Sequence, residues 1–532
     1  MSTDKYSRPL TNRTVARSAG VIGLATLISR LLGFLRDIVI ARLFGVYIYA
    51  QAFVIAFRIP NLFRDLVGEG ATNAAFVPVF SEYASRHTKE EFWELANVVL
   101  NILLVVLMSI TILGIIFSPV IVRFIAPGFI ASPEKLAATI KLNRIIFPYI
   151  LLVSLSAYSM GVLNSLKNFT VSAFAPCLLN ISIIVFALAF GEGIKGLAWG
   201  VLVGGVLQLA IQIPVLYKKG FRLKAPKALN HPAARSIGKL MLPRLLSSCI
   251  YQLNNFVDSI FGSLAWVVGD GGVAVLYFSY RLIQFPLGIF SNALSQAILP
   301  TFSTQASLGE IEDKLKPTLA WGLRAVFFVM LPAGVAFMVL AKPIVVTLFG
   351  GGRFDAYSAN LTASALFFYS LGLFAYGGTK MLQACFFSLR DTVTPTKVAA
   401  VSLVLNIIFD AVLIFPLKIA GIALATSISG IITFFILFFL LEKKIGYFER
   451  REILVCFSRV LAASLGMGLV CFFAGQIPTN KFLNLAGSIT AGVISYIVFC
   501  FIFRVKEMGQ VWGWIMLKNS SALFKNKPGQ PL

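Results

Sequence analysis

Apolar residues in this chain run in long unbroken stretches rather than in short alternating ones. Segments of 18 or more apolar residues recur from Val21 almost to Val505. Each is long enough to cross hydrocarbon as a helix, and the period-2 alternation of a membrane barrel is absent. The pattern predicts about fourteen spans: roughly 18–45, 48–85, 92–120, 138–166, 171–191, 194–217, 239–267, 272–305, 317–349, 358–389, 394–416, 420–442, 452–475 and 484–505. The expected fold class is therefore an all-α polytopic membrane protein.

Composition strengthens that reading. Charged residues make up 13% of the chain and hydrophobic ones 58%, whereas soluble domains are about one quarter charged. Six scattered cysteines form no CxxC pair, which points to buried small hydrophobes rather than metal or redox work. His87 and His231 fall in polar loops, and no GxxxxGK[ST] loop is present to cradle nucleotide. A net charge of +24 reports basic loops facing anionic lipid, so no nucleic acid is expected as a partner. The polar, basic start leads into a helix that carries Arg30, Arg36 and Asp37. It is expected to remain as an uncleaved first span.

Basic clusters precede the first span, follow the sixth and the twelfth, and follow the last. An even span count puts all four on one side, the cytoplasm, with both termini. The chain also repeats. Ala75-Phe-Val-Pro-Val-Phe-Ser matches Ala297-Ile-Leu-Pro-Thr-Phe-Ser at an offset of 222, Gly196-Leu-Ala matches Gly421-Ile-Ala at 225, and Leu179-Asn-Ile matches Leu405-Asn-Ile. A six-span period means copies of the same topology, a parallel repeat. The expected organisation is a cytoplasmic N-terminus (1–17), a first six-helix lobe (18–217), a basic linker on the membrane surface (218–238), a second lobe (239–442), two further helices (443–505) and a cytoplasmic tail (506–532).

Charges inside spans are the informative residues, because each costs roughly 3 kcal/mol or more in hydrocarbon. The first two spans each carry Arg-x5-Arg-Asp: Arg30, Arg36 and Asp37, then Arg58, Arg64 and Asp65, with Glu69 beyond. The eighth carries Arg281, and Asp258 in the seventh aligns with Asp37 at an offset of 221. Arg30, Arg64 and Arg281 fall near the bilayer middle at about 1.5 Å of rise per residue. Two readings follow. Either they face a wet cavity and hold an anion, for which forked guanidinium donors suit phosphate, or they pair with Asp37, Asp65, Glu69 and Asp258 and lock the bundle. Arg42 and Arg58, nearer the interface, are expected to snorkel. Asp37 and Asp65 suit arginine-positioning or gating. Lys380 either lines the cavity or does not, Asn180 and Asn406 bridge helices, and Gly204-Gly205 packs helices closely.

Several stretches resemble the MurJ/MviN family, the lipid II flippases of the polysaccharide- and multidrug-exporter superfamily: Ser29-Arg-Leu-Leu-Gly-Phe-Leu-Arg-Asp37, Pro60-Asn-Leu-Phe-Arg64, Glu69-Gly-Ala71, Ala75-Phe-Val-Pro78, Ala173-Phe-Ala-Pro176 and Tyr280-Arg-Leu-Ile-Gln-Phe-Pro286. The resemblance implies fourteen helices in two lobes around a cavity, with a lipid-tail groove made by the last two. It implies that Arg30, Arg36, Arg64 and Arg281 engage a diphosphate, with Asp37 beside them, while lipid II moves from the cytoplasmic to the periplasmic leaflet of the inner membrane. It further implies no covalent chemistry and no cofactor, with bilayer lipids and cell-wall synthesis proteins as partners. Gln51 and Gln284 stand where relatives often carry acids, which bears on gating, and Gln284 is a candidate cavity residue. The rival readings are an exporter of another polyprenyl-diphosphate oligosaccharide, a multidrug exporter, for which a basic cavity is the wrong sign, and a lipid enzyme, for which the loops carry no catalytic carboxylate cluster.

Overall fold

The computed structural model describes residues 12–64, 76–191, 193–224, 231–478 and 480–509. Among these, helices account for nearly all regular structure, with a single isolated bridge between Gly351 and Phe354. Two compact units emerge. The first lies within Met1–Phe278, with Phe349–Ala359 and Ile414–Ile419 joined to it, and the second comprises Ser279–Leu348, Asn360–Leu413 and the chain from Ala420.

The first unit holds α1 (Asn12–Phe44), α2 (Ile48–Arg64), α3 (Val77–Arg86), α4 (Lys89–Ile116), α5 (Ser118–Ile125), α6 (Pro133–Ile146), α7 (Tyr149–Ser165), α8 (Thr170–Phe190), α9 (Ile194–Ala210), α10 (Ile213–Lys219), α11 (Pro232–Gly262) and α12 (Ala265–Val268). α4 starts on a reciprocal cap, in which Thr88 Oγ1 accepts from Glu91 N and Glu91 Oε2 accepts from Thr88 N. α11 begins several residues earlier than the seventh expected span. His231 caps it by accepting from Ala233 N at 3.2 Å, and Pro232 pre-sets its first turn.

α8 and α9 pack through a glycine stripe. A Cβ on Gly196, Gly200 or Gly204 would lie 2.8–2.9 Å from Phe186 O, Ile183 Cα or Leu179 Cα respectively. Only glycine lets the backbones approach so closely. Gly205, on the next position, admits the Tyr149 ring of α7.

α13 (Gly272–Pro286) runs from the first unit into the second. It ends at Pro286, and a π-turn, Leu287–Ser291, follows before α14 (Asn292–Ser307). The second unit then holds α15 (Lys316–Val339), α16 (Ala341–Leu348), most of α17 (Ala356–Ser370), α18 (Leu373–Ser388), most of α19 (Val393–Leu417) and of α20 (Ile419–Ile445), α21 (Arg450–Ala474) and α22 (Lys481–Ile502). Several of its charges are paired. Arg324 meets Glu449, Glu452 and Glu507, and Asp391 accepts from Lys444 at 2.5 Å. Burial acts to raise the Asp391 pKa, but the Lys444 and Thr394 contacts outweigh it and hold the carboxyl down at about 2.

Ten helical segments among the described residues are long and apolar enough to cross a membrane, or eleven when the bent pair α17–α18 counts as one. These eleven match the third to sixth and eighth to fourteenth expected spans to within a few residues at nearly every end. α1, α2 and α11, which carry the first, second and seventh expected spans, border on or include residues outside the described ones. α1 carries Arg30, Arg36, Asp37 and Arg42, and α2 is described from Ile48 as far as Arg64, the last residue before the undescribed 65–75. Eleven of the fourteen expected spans are thus matched among the described residues. The expected helix over 48–85 is present as α2 and α3, and 65–75 lies outside the described residues.

Candidate functional site

The most elaborate polar arrangement inside the first unit is built on α1. Gly33 on that helix faces the Asn180 side chain of α8, and a Cβ there would lie at ordinary van der Waals distance from the amide, 3.7 Å. From there Asn180 Nδ2 donates to Ser29 O at 3.2 Å, while its Oδ1 accepts from Arg36 Nη1 at 3.0 Å. The rest of the guanidinium turns back on its neighbour. Arg36 Nε and Nη2 donate to Asp37 Oδ1 at 3.0 and 2.7 Å. Tyr277 of α13 closes the ring, with its hydroxyl 3.2 Å from Arg36 Nη2 and 3.1 Å from Asp37 Oδ1.

Arg36 is 3% exposed and Asp37 1%. A buried ion pair persists only when its remaining donors and acceptors are satisfied, because desolvating both charges costs several kcal/mol. Asn180 and Tyr277 supply those partners. The expectation that Asn180 bridges helices is met, and its partner is an arginine of the candidate set. In this state all three guanidinium nitrogens of Arg36 point to protein.

The other arginines are placed differently. Arg30 is exposed on α1, Arg64 is half-buried at the last residue of α2, and Arg281 is half-buried on α13, one turn beyond Tyr277. Helical spacing puts Tyr277 and Arg281 on one face. Asp258 is partly buried on α11 and feels the positive charge of Arg58. Arg58, expected to snorkel at the interface, is half-buried. Gln284 is half-buried on α13 and Lys380 is exposed on α18. Asp65 and Glu69 lie outside the described residues.

A second polar group, at the ends of the first unit's helices, has no counterpart among the sequence-based expectations. Asp270, in the turn before α13, accepts from Lys135 Nζ at 2.6 Å, from Gln51 Nε2 at 3.1 Å and from Gly271 N at 2.9 Å. Tyr357 donates to the Asp270 backbone carbonyl at 3.2 Å, and Tyr47 donates to Asp355 at 2.6 Å. Partial burial acts to raise the Asp270 pKa, but the Lys135 bond and charge and the Gln51 and Gly271 donors outweigh it and hold the carboxyl below its ordinary value. Gln51 therefore has a local reason to be an amide: a carboxylate there would face Asp270. The sequence held one signal for this group, the missing acid at position 51. Lys135 lies near the start of a span, where a buried lysine cannot be told from a snorkelling one.

Apolar spans, an intramembrane arginine network and paired charges beyond the helix ends define a multi-pass helical membrane protein. The fold is shared with a multidrug exporter of the MATE family in its inward-facing conformation (TM-score 0.67, 19% identity, covering 78% of this chain and 94% of that one). The likeness is stronger to a solved structure described as lipid II flippase MurJ in an inward closed conformation (TM-score 0.78, 28% identity, 91% of this chain and 98% of that one). The family model described as lipid II flippase MurJ matches residues 40–484. A relative from Buchnera aphidicola, named a probable lipid II flippase MurJ, is 37% identical over 83% of this chain and 86% of its own. One from Burkholderia cenocepacia, named lipid II flippase MurJ, is 32% identical over 83% and 86%. The chain belongs to the lipid II flippase MurJ family.

Proposed function

We propose that this protein carries lipid II from the cytoplasmic to the periplasmic leaflet of the inner membrane for peptidoglycan synthesis, by alternating access and without making or breaking a covalent bond. The observation that carries the reading is its identity to relatives named as lipid II flippases along most of both chains. In this reading both termini are cytoplasmic, as the basic clusters suggest. Arg30, Arg64 and Arg281 each engage the diphosphate during the crossing and offset its desolvation, while the polyprenyl tail stays in lipid. Arg36 binds phosphate only if Asp37, Asn180 and Tyr277 release it; otherwise it fixes α1. Asp65, Glu69 and Asp258 position arginines or gate, and Lys380 and Gln284 serve the same passage. Cell-wall synthesis proteins are the natural recipients on the far side. The test is a proteoliposome assay of leaflet exchange for lipid II against other polyprenyl-diphosphate sugars. Selective, protein-dependent exchange of lipid II is expected. Equal exchange of every polyprenyl diphosphate, or of none, contradicts the assignment.

A further inference from the structure

Between α10 and α11 the chain does something that span connectivity alone does not require. α10 stops at Gly220, whose φ of +105° suits glycine, with Gly220 N donating to Tyr217 O at 3.0 Å and Phe221 N to Leu216 O at 3.1 Å. Phe221 then turns inward, 9% exposed, edge-on to the Trp93 ring at 5.7 Å. The next three residues are clipped to α4. Asn97 Nδ2 donates to Arg222 O at 3.0 Å, Asn97 Oδ1 accepts from Lys224 N at 2.9 Å, and Asn101 Nδ2 donates to Lys224 O at 3.3 Å. One side-chain amide thus gives and takes hydrogen bonds as a neighbouring strand would. Asn97 is 4% exposed, on the helix whose apolar window has the highest mean hydropathy of the ten, 2.8. An amide buried there costs free energy unless it is satisfied, and outside its own helix the strap 221–224 is the partner that satisfies it.

The clip fixes a surface of unusual composition. Lys218, Arg222 and Lys224 are exposed, and they alternate with Tyr217 (44% exposed) and Leu223 (62%). Arg222 is held flat, its guanidinium 5.5 Å from the Tyr217 ring and bonded to Phe221 O at 2.9 Å. Residues 213–238 contain Lys218, Lys219, Arg222, Lys224, Lys227 and Arg235 and no carboxylate. At two other helix ends exposed cations meet acids close by: Arg86 meets Glu82 and Lys314 meets Glu310. Fixed cations interleaved with exposed apolar side chains, at the end of a membrane-spanning bundle, match the chemistry of the headgroup–acyl boundary. An acidic soluble partner would have no use for the exposed leucine.

We propose that the end of α10 and the strap 221–224 form a docking surface for anionic phospholipid headgroups, held in register by Asn97. The inference does not depend on which side of the membrane this surface faces, nor on the substrate carried. Native mass spectrometry of the full chain in mixed micelles tests it, with phosphatidylglycerol, phosphatidylcholine and a polyprenyl diphosphate offered separately. Three cations near an anionic surface favour it by up to on the order of a hundredfold. The wild type should therefore retain phosphatidylglycerol over phosphatidylcholine by about tenfold or more. The triple variant Lys218→Gln, Arg222→Gln, Lys224→Gln should lose most of that preference, whereas Lys218→Arg with Lys224→Arg should keep it. Asn97→Val, which keeps every charge but removes the clip, should fall between them. Retention of only the polyprenyl diphosphate would assign the surface to transported substrate and overturn the proposal. So would an unchanged phosphatidylglycerol preference in the folded triple variant.

Discussion

Asn180 and Asn406 hold equivalent places in the internal repeat, yet the two sites have diverged. On α8, Asn180 faces Gly33 and spends both ends of its amide on α1, at Ser29 O and Arg36. On α19, Asn406 is fully buried, its Nδ2 reaches Thr426 Oγ1 only at 3.4 Å, and its Oδ1 has no hydrogen-bond partner among the described residues. At the repeat offset of 221, Gly33 and Arg36 become Asn254 and Val257, and only Asp37 keeps its chemistry, as Asp258. In the first half of the chain an arginine gives the asparagine its partner; at the aligned position in the second half there is a valine.

The comparison is broken most severely by removing a charge from the filled copy. Arg36→Ala strands Asp37 in a buried site, and losing one partner of such a pair costs about 3–5 kcal/mol. Thermal unfolding in detergent should show a larger drop for this variant than for any that follows, with loss of abundance and activity in step. Next come the two asparagines. Asn180→Leu deprives Arg36 and Ser29 O of partners and should cost about 1–3 kcal/mol, whereas Asn406→Leu removes an unsatisfied acceptor and should be near neutral or stabilising. Equal losses at 180 and 406 would mean the copies are not different in the way described.

The Asp270 group gives a smaller, pH-dependent effect. Its carboxyl has a depressed pKa when folded, so its contribution is present above the ordinary carboxylate value of about 3.9 and is lost as pH falls through the folded value. Gln51→Glu should lower the melting temperature at neutral pH by placing a second carboxylate against Asp270. Acidification should shrink that deficit; a deficit that persists unchanged in acid would point to packing rather than charge. Smallest of all is Arg86→Ala, since its pair with Glu82 is exposed and such pairs contribute about 0–1 kcal/mol.

The frame was open to sequence reading because hydrophobic length leaves few alternatives in a membrane. Eleven spans ran within a few residues of the expected ranges at nearly every end; the largest difference is in the ninth, expected over 317–349, where α15 ends at Val339 and α16 follows over Ala341–Leu348. The site was legible in part. Asp37 beside Arg36, and Asn180 as a bridge, follow from the cost of burying charge. That Tyr277 would close the ring did not, because a tyrosine on a span reads equally well as packing. Lys135 and Asp270 lie 135 residues apart, and the loop Phe349–Ala359 joins the first unit from far along the chain. No local pattern announces such contacts.

The division between a structural arginine and transporting ones can be tested directly. Arg36→Ala, Arg64→Ala, Arg64→Lys and Arg281→Ala would be reconstituted at matched protein density and assayed for lipid II exchange, with melting temperature recorded on the same samples. Arg64→Ala and Arg281→Ala should keep near wild-type melting temperatures and lose about tenfold or more in headgroup affinity, since each charge-assisted contact contributes roughly 1.5–3 kcal/mol. Lysine at 64 should fail to restore full activity, because a point charge lacks the bidentate geometry, and only Arg36→Ala should lose stability and exchange together. Normal lipid II exchange by both Arg64→Ala and Arg281→Ala at wild-type abundance would contradict the diphosphate-binding role.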